Sequence, residues 1–159
     1  MIAFTSCEKL DELTEIDVND TITQTVTVSV SGGTTFSESM TISVADPDVQ
    51  DNIDKIQSVT VERLTYEITD VTGTEGVILN GAFKVNGGTL ALTSIDLSAS
   101  DNANTVTDIT AQANLVQALA SSIKNNATAT LALDGSVSAE PVSFKIKIVA
   151  DVKVTVDVL

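Results

Sequence analysis

The sequence feature that most constrains the fold is the run of residues 142–158, in which every second residue is apolar. Side chains alternate between the two faces of a β-strand, so this pattern predicts a strand with one buried face. At about 3.3 Å per residue the run is more than about 50 Å long, which exceeds the length of most strands. It contains neither Gly nor Pro, so we expect it to bend near Ala150 and pass between two sheets. The alternative is that it reaches a neighbouring molecule as a donor strand.

The same alternation recurs earlier in the chain and predicts further strands. Residues 22–30 and 36–44 alternate on either side of Gly32-Gly33, which predicts a hairpin. The apolar parity changes within residues 56–71, so we expect a β-bulge near Glu62-Arg63. Turn signals at Asn86-Gly87-Gly88 and Asp134-Gly135 predict two more tight turns.

One segment has helical spacing instead. Within residues 111–124, Leu115, Leu119 and Ile123 recur every fourth position, and Asp108 or Thr110 is the expected N-cap. We expect this helix to cover one open end of the fold, and we expect residues 98–104 to form a polar loop.

Together these patterns predict a mainly β protein, an antiparallel β-sandwich of the immunoglobulin-like or Greek-key type. It should have about eight or nine strands and one short α-helix near residues 111–124. We expect residues 21–159 to form a single β-sandwich domain, and we interpret residues 1–20 as a signal remnant and tether.

Composition narrows the possible functions. The formal net charge is −14, from 8 basic and 22 acidic residues, and such a charge repels the phosphates of nucleic acids. Histidine is absent, which excludes Ser-His-Asp and Cys-His mechanisms and any zinc site that contains histidine. Aromatic residues make up only 3% of the chain, too few for the stacking platforms typical of carbohydrate-active sites. We therefore expect a protein that is not an enzyme and needs no cofactor.

The N-terminal segment carries the clearest functional signal. An apolar stub leads into Phe4-Thr5-Ser6-Cys7, followed by a mostly charged segment at residues 8–12, and Cys7 is the only cysteine. This segment resembles the lipobox of bacterial surface lipoproteins of the Bacteroidota type. The resemblance implies that Cys7 carries a lipid and that an acidic tether follows it. It also implies that the domain is anchored to the outer membrane or cell surface.

Two weaker sites are predicted from short motifs. Asp46, Asp48, Asp51 and Asp54 crowd one segment, and carboxylates at such spacing are typical of Ca²⁺ ligands, although the EF-hand pattern is not met. The alternative is a solvated turn with a helix cap. Thr21, between Asp20 and Ile22, resembles the O-glycosylation motif of Bacteroidota surface proteins.

These observations favour a non-enzymatic surface lipoprotein whose β-sandwich is an accessory or adhesive module at the bacterial outer membrane. Its expected partners are the membrane, through Cys7, and a protein at the cell surface, but not nucleic acid. Two alternatives remain: a structural subunit of a surface fibre assembled by strand addition, and a binder of an apolar ligand between the sheets.

Overall fold

A computed structural model describes residues 14–159 and contains eight strands and three α-helices in that range. The strands are β1 (Glu15–Val30), β2 (Thr35–Ser43), β3 (Ile56–Gly73), β4 (Ile78–Val85), β5 (Gly88–Asp96), β6 (Val106–Asp108), β7 (Thr128–Val137) and β8 (Val142–Asp157). The helices are α1 (Pro47–Asp51), α2 (Leu97–Asn102) and α3 (Ala113–Asn126), and a 3₁₀ turn covers Ile53–Lys55.

The strands form two four-stranded antiparallel sheets packed face to face. Sheet A has the order β1-β8-β3-β6 and sheet B has the order β2-β7-β4-β5. Eight strands in this order form two Greek keys, the arrangement known as a jelly roll. The predicted antiparallel β-sandwich is therefore confirmed. Its order is the Greek-key one, since constant-type immunoglobulin domains have their first two strands side by side, whereas β1 and β2 lie in different sheets here.

The long C-terminal run does not pass between sheets, so that prediction was wrong. β8 stays in sheet A, pairs with β1 at every position from Glu15↔Asp157 to Val30↔Val142, and pairs with β3 on its other side. No bend is needed because β1 has 16 residues and β3 has 18, long enough to pair the whole run. Every second side chain of β8 is buried.

The predicted hairpin at Gly32-Gly33 was also wrong. β1 pairs with β8 and β2 pairs with β7, so the connection passes from sheet A to sheet B. Alternation shows which face of a strand is buried but does not identify its neighbour. β1 also begins at Glu15, so the predicted boundary between tether and domain at residue 20 falls inside this strand.

Two local predictions are confirmed. The register of β3 against β8 shifts between Val61 and Arg63, where the bulge was expected. β4 and β5 form a hairpin closed by Asn86 and Gly87, whose φ angles are +40° and +87°. Positive φ at both central residues is the requirement of the tight I′ turn, and Asn-Gly meets it most easily.

The turn predicted at Asp134-Gly135 lies inside β7 and is no turn. Gly135 is needed there for close approach: a Cβ atom would lie 2.7 Å from the Asn80 carbonyl oxygen and 2.7 Å from the Phe36 ring. Asp134 accepts hydrogen bonds from Ser37 at 2.6 Å and from Lys84 at 2.9 Å, which fixes it on the strand face.

Helix α3 begins at Ala113, two residues later than predicted. Its N-cap is Gln112, which makes no side-chain cap, so neither Asp108 nor Thr110 caps the helix as predicted. The Asp108 carboxylate instead accepts from the Thr110 backbone N–H, and the Thr110 hydroxyl oxygen accepts from the Leu64 backbone N–H. The predicted stripe is buried, and α3 contacts β3 of sheet A and β4, β5 and β7 of sheet B.

Candidate functional site

The sandwich has two ends, and the first is where the described chain starts and finishes. The Val158 backbone N–H donates to the Thr14 carbonyl oxygen there, beside the first residue of β1. We call this the N-terminal end. β1 then runs for 16 residues, about 50 Å at about 3.3 Å per residue, to the opposite end.

The opposite end, which we call the far end, is held together by contacts between three connections. The Thr74 backbone N–H donates to the Pro141 carbonyl oxygen at 2.9 Å, and the Gly33 N–H donates to the Glu140 carboxylate at 2.7 Å. Gly73 has φ of +100°, and a Cβ atom on it would collide with the Pro141 carbonyl oxygen. This tight junction fixes the start of the β3–β4 connection.

A groove of about 610 Å³ opens at this far end, and we call it the far-end groove. The end of β3 and the β3–β4 connection form one wall, and helix α2 with the residue before it forms the other. The lining residues are Val71, Thr72, Gly73, Thr74, Glu75, Gly76, Asp96, Ser98, Ala99, Asp101 and Asn102.

Helix α2 is placed by two carboxylates. Asp96 is its N-cap and accepts from the Ala99 backbone N–H at 2.9 Å. Asp101 accepts from the Val71 backbone N–H at 2.9 Å, which ties the helix to the end of β3. The predicted polar loop at residues 98–104 is therefore mostly helix, and its acidic side chains build a wall of the groove.

The chemistry of the far-end groove is polar and acidic. Its lining carries the carboxylates of Glu75, Asp96 and Asp101, hydroxyl groups and one amide, and no basic or aromatic side chain. Two of those carboxylates are already engaged with backbone N–H groups, while Glu75 is exposed. Such a lining suits a neutral polar or basic group and offers no nucleophile paired with a base.

The groups whose pKa values are shifted from their ordinary values lie away from this groove. The pKa of Asp17 is lowered by hydrogen bonds from Lys153 and Thr155, and Asp17 raises the pKa of Lys153 in turn. Hydrogen bonds from Thr110 lower the pKa of Asp108, and those from Ser37 and Lys84 lower that of Asp134. All four groups belong to surface contacts that hold strands or loops together.

The residues predicted from short motifs are not gathered into one site. Cys7 lies outside the described residues. Thr21 is exposed on β1, and its hydroxyl donates to Asp151 at 2.7 Å.

The predicted Ca²⁺ ligands lie at the N-terminal end, around α1. Asp46 is the N-cap of this helix and accepts from the Asp48 backbone N–H at 2.9 Å, which is the helix-cap alternative. Asp51 and Asp54 are exposed. Between residues 14 and 159, no group of three or more Asp, Glu, Cys or His side chains is arranged to hold a metal ion.

The space between the sheets is filled by side chains. Phe83, Phe144 and Ile146 are fully buried there. The rings of Phe36 and Phe144 meet edge to face at 5.9 Å, and those of Tyr66 and Phe83 meet at 5.5 Å. Because side chains fill this space, the packing does not support the alternative prediction that an apolar ligand binds between the sheets.

Comparison with known proteins adds a distant likeness of fold. No protein-family model matches the sequence, and no curated protein matches it significantly. A solved structure of the decameric BFDV capsid protein superposes on 87% of this chain and 99% of its own, with a TM-score of 0.40 and 9% identity. A likeness this distant assigns no function. Within residues 14–159 no helix is both long and apolar enough to cross a membrane.

Proposed function

We propose that this chain is a non-enzymatic lipoprotein of the bacterial outer membrane or cell surface, anchored by a lipid on Cys7, whose β-sandwich is an accessory or adhesive module. The observation that supports the proposal most is the position of the far-end groove. Thr14 lies at the N-terminal end of the sandwich, and Cys7 comes seven residues before it in the sequence. The groove opens at the other end of the sandwich, about 50 Å away along β1. A lipid on Cys7 would therefore attach at the end of the sandwich opposite the groove and leave the groove open to a partner.

The groove also indicates what kind of partner an adhesive module of this type would bind. Its carboxylates and hydroxyl groups favour a basic or neutral polar group on a protein surface, and the chain's charge of −14 attracts basic partners over a distance. Phosphate-rich partners are repelled by the same field.

The lipid anchor is tested by expressing the natural gene in a bacterium that processes lipoproteins and measuring the intact mass of the product. We expect a chain that begins at Cys7, carries the added mass of the lipid and fractionates with membranes. The Cys7→Ala variant should lose both properties. An unmodified Cys7 in the membrane fraction or in the medium would overturn the anchor.

The adhesive role is tested by coating beads with the purified domain and counting their attachment to intact cells of the same species. We expect Glu75→Lys to reduce attachment, because it reverses the one exposed carboxylate of the far-end groove. Asp51→Lys makes the same charge change at the N-terminal end and should leave attachment unchanged. Equal attachment by both variants would exclude the groove as the binding surface.

The alternative, a fibre subunit that donates its C-terminal strand, rested on the unusual length of that strand. The structure accounts for this length within the chain's own sheet. β8 is hydrogen-bonded to β1 on one side and to β3 on the other over nearly its whole length. Releasing it would remove the centre of sheet A from its own fold.

A further inference from the structure

The four edge strands of this sandwich differ in how well they are protected against pairing with another chain. Unpaired N–H and C=O groups on an edge strand are a template for another strand, and proteins usually block them. Common blocks are a very short strand, a bulge, or a charge that points inward. All four edges carry such a block, but β1 leaves the longest stretch without one. Its block is Asp20, which lies on the same face as the buried Ile22, and the ten residues from Thr21 to Val30 carry none.

The blocks on β2, β5 and β6 leave only short stretches of edge free. On β2, Glu38 lies on the same face as the buried Met40 and is paired opposite the buried Leu133, so it is an inward charge. β5 has a register shift against β4 and a φ of +52° at Ser94, which breaks its regular edge. β6 has only three residues and ends in Asp108.

The β1 edge is long and regular. It pairs with β8 through 16 consecutive positions with no register shift, and among the described residues β8 is its one neighbour in the sheet. From Thr21 to Val30 it contains no charged residue. Ile16, Val18 and Val26 face the core side but remain only partly buried. Asp20 lies on the same side, where its carboxylate accepts from the Ala45 backbone N–H at 3.3 Å. Covering them would bury apolar surface that β1 now leaves in contact with water.

We propose that the β1 edge binds β1 of a second copy of this chain, so that two A sheets join into one eight-stranded sheet. Antiparallel pairing of identical strands about a two-fold axis is self-complementary. The faces must match, so residues of the same parity must lie opposite each other. A long register that meets this condition places the axis at Thr23 and pairs residues 16–30 of both copies.

The charges of β1 favour this partner. All of its acidic residues lie between Glu15 and Asp20, and antiparallel pairing sets them opposite the uncharged half of the other copy. With the axis at Thr23, Asp17 faces Ser29 and Asp20 faces Val26. No two carboxylates are directly opposite, although each chain carries a net charge of −14.

The facing side chains are also compatible. On the core side Val18 lies opposite Val28, and on the outer side Thr21 lies opposite Thr25; both are favourable cross-strand pairs. The outer side chains are already held in place within the monomer, since Thr21 donates to Asp151 and Ser29 hydrogen-bonds Ser143. Groups that are fixed before association lose less entropy when they bind.

The arrangement places the two Thr14 residues at opposite ends of the dimer. Copies on facing membranes would therefore pair upright, while copies on one membrane would pair lying flat. The dimer itself does not depend on the lipid anchor, so it is tested with the unlipidated Cys7→Ser chain. A failure of the dimer then leaves the anchor untouched, and the reverse also holds.

The test is sedimentation velocity of the Cys7→Ser chain over a range of concentrations. We expect the mass to rise from that of the 16.6 kDa chain to twice that value. The dimer should strengthen with added salt, because salt screens the repulsion between two acidic chains. In the same background, Thr23→Lys should raise the dimer Kd roughly tenfold, since it sets two ammonium groups near each other at the axis.

The matched control is Thr93→Lys, which adds the same charge at an exposed position of the β5 edge and should dimerise like the parent. Circular dichroism establishes that both variants are folded. A parent chain that stays monomeric at every concentration and salt level overturns the proposal. Equal weakening by Thr23→Lys and Thr93→Lys overturns it as well.

Single cysteines at positions 21, 23, 25 and 27 of the Cys7→Ser chain test the register. A residue on the axis faces its own copy with Cβ atoms about 4.5–5.5 Å apart, the shortest separation in the register, and a small shift brings them to the about 3.5–4.5 Å of a disulfide. We expect Thr23→Cys to cross-link fastest under mild oxidation. Equal rates at all four positions would show random collision and overturn the paired-strand geometry.

Discussion

β8 and β1 have the same length and the same alternating pattern, yet they occupy different positions in sheet A. The two strands are paired with each other at all 16 positions. In β8 every second side chain is buried, from Val142 to Val156. In β1 only Ile22, Val28 and Val30 reach that state. The difference is one of position and of composition: β8 has a strand on both sides while β1 has one, and the core side of β1 includes Asp20 and Gln24.

The polar faces of the two strands also differ in charge. β8 carries lysines that form ion pairs with its neighbours: Lys145 with Asp70 of β3, and Lys153 with Asp17 of β1. The outer face of β1 is mainly threonine between residues 21 and 27. Ion pairs with the strands on both sides fix the register of β8. The stretch of the β1 edge that carries no charge, residues 21–30, can accept a further strand.

The largest expected effect is the difference in unfolding free energy between a substitution in the core face of β8 and one on the outer face of β1. Phe144→Ala should lower the free energy of unfolding by about 3–5 kcal/mol, because a fully buried ring is replaced by a cavity. Thr25→Ala on the exposed face of β1 should change it by less than about 0.5 kcal/mol. Urea denaturation followed by circular dichroism measures both. Comparable losses would mean that the outer face of β1 is as important for stability as the core.

A sharper comparison uses one side chain in both strands. Ile148→Ala in β8 should cost about 3–4 kcal/mol, since this isoleucine is completely buried. Ile16→Ala in β1 should cost about 1 kcal/mol, because part of that side chain is in water already. The two variants are compared by the same denaturation experiment below the concentration at which any dimer forms. Equal costs would contradict the edge position of β1.

Amide hydrogen exchange gives a smaller and more local readout. Consecutive amides of β8 should all be protected, because β8 has hydrogen-bonded neighbours on both sides. Amides of β1 should be protected at alternate positions only, those that point toward β8. In the proposed dimer, the unprotected set in residues 16–30 should become protected as the protein concentration rises. Uniform protection along β1 in the monomer would mean that another segment covers this edge.

The same comparison shows what the sequence could predict. Alternation identified the strands and their buried faces, including β8 and the bulge at Val61/Arg63. It could not identify neighbours, because the buried face of β1 looks alike whether the next strand is β2 or β8. The predicted crossing near Ala150 failed for a related reason. A long strand needs no bend when its neighbours are equally long, and that depends on residues far away in the chain.

The two residue pairs that predicted tight turns had different outcomes in the structure. Asn86-Gly87 closes a hairpin as predicted, while Asp134-Gly135 sits in mid-strand. There the glycine is required by the closeness of Phe36 and Asn80, which no local pattern reveals. The far-end groove was missed for a similar reason. Its walls, residues 71–76 and 96–102, are far apart in the chain and are joined by the bonds from the Val71 N–H to Asp101 and from the Leu97 N–H to the Val77 carbonyl oxygen.

The smallest expected effect concerns the ion pair that links the two strands. The Lys153 Nζ atom lies 2.8 Å from an oxygen of Asp17, and Thr155 donates to the other oxygen at 2.7 Å. These bonds hold the pKa of Asp17 below its ordinary value of 3.8, and the pKa of Lys153 lies above its ordinary value of 10.5. Because the folded-state pKa of Asp17 is lowered, its contribution to stability is present above the unfolded value and is lost as pH falls through the folded one. For Lys153, whose pKa is raised, the contribution is present below the unfolded value and is lost as pH rises through the folded one.

Both groups are exposed, so the pair should contribute little to stability and be weakened by salt. The measurement that isolates it is an NMR titration of the Asp17 carboxyl group in the parent chain and in Lys153→Met. We expect the variant to bring the pKa of Asp17 back toward 3.8, while Lys145→Met, which removes a lysine paired with Asp70 instead, should leave it unchanged. An Asp17 that titrates at its ordinary pKa in the parent would mean that this pair does not hold β1 to β8 in solution. The side-chain bonds between the two strands would then be those of Thr21 with Asp151 and Ser29 with Ser143. The edge strand would then be tied to the centre of the sheet less firmly at its acidic end than at its uncharged end.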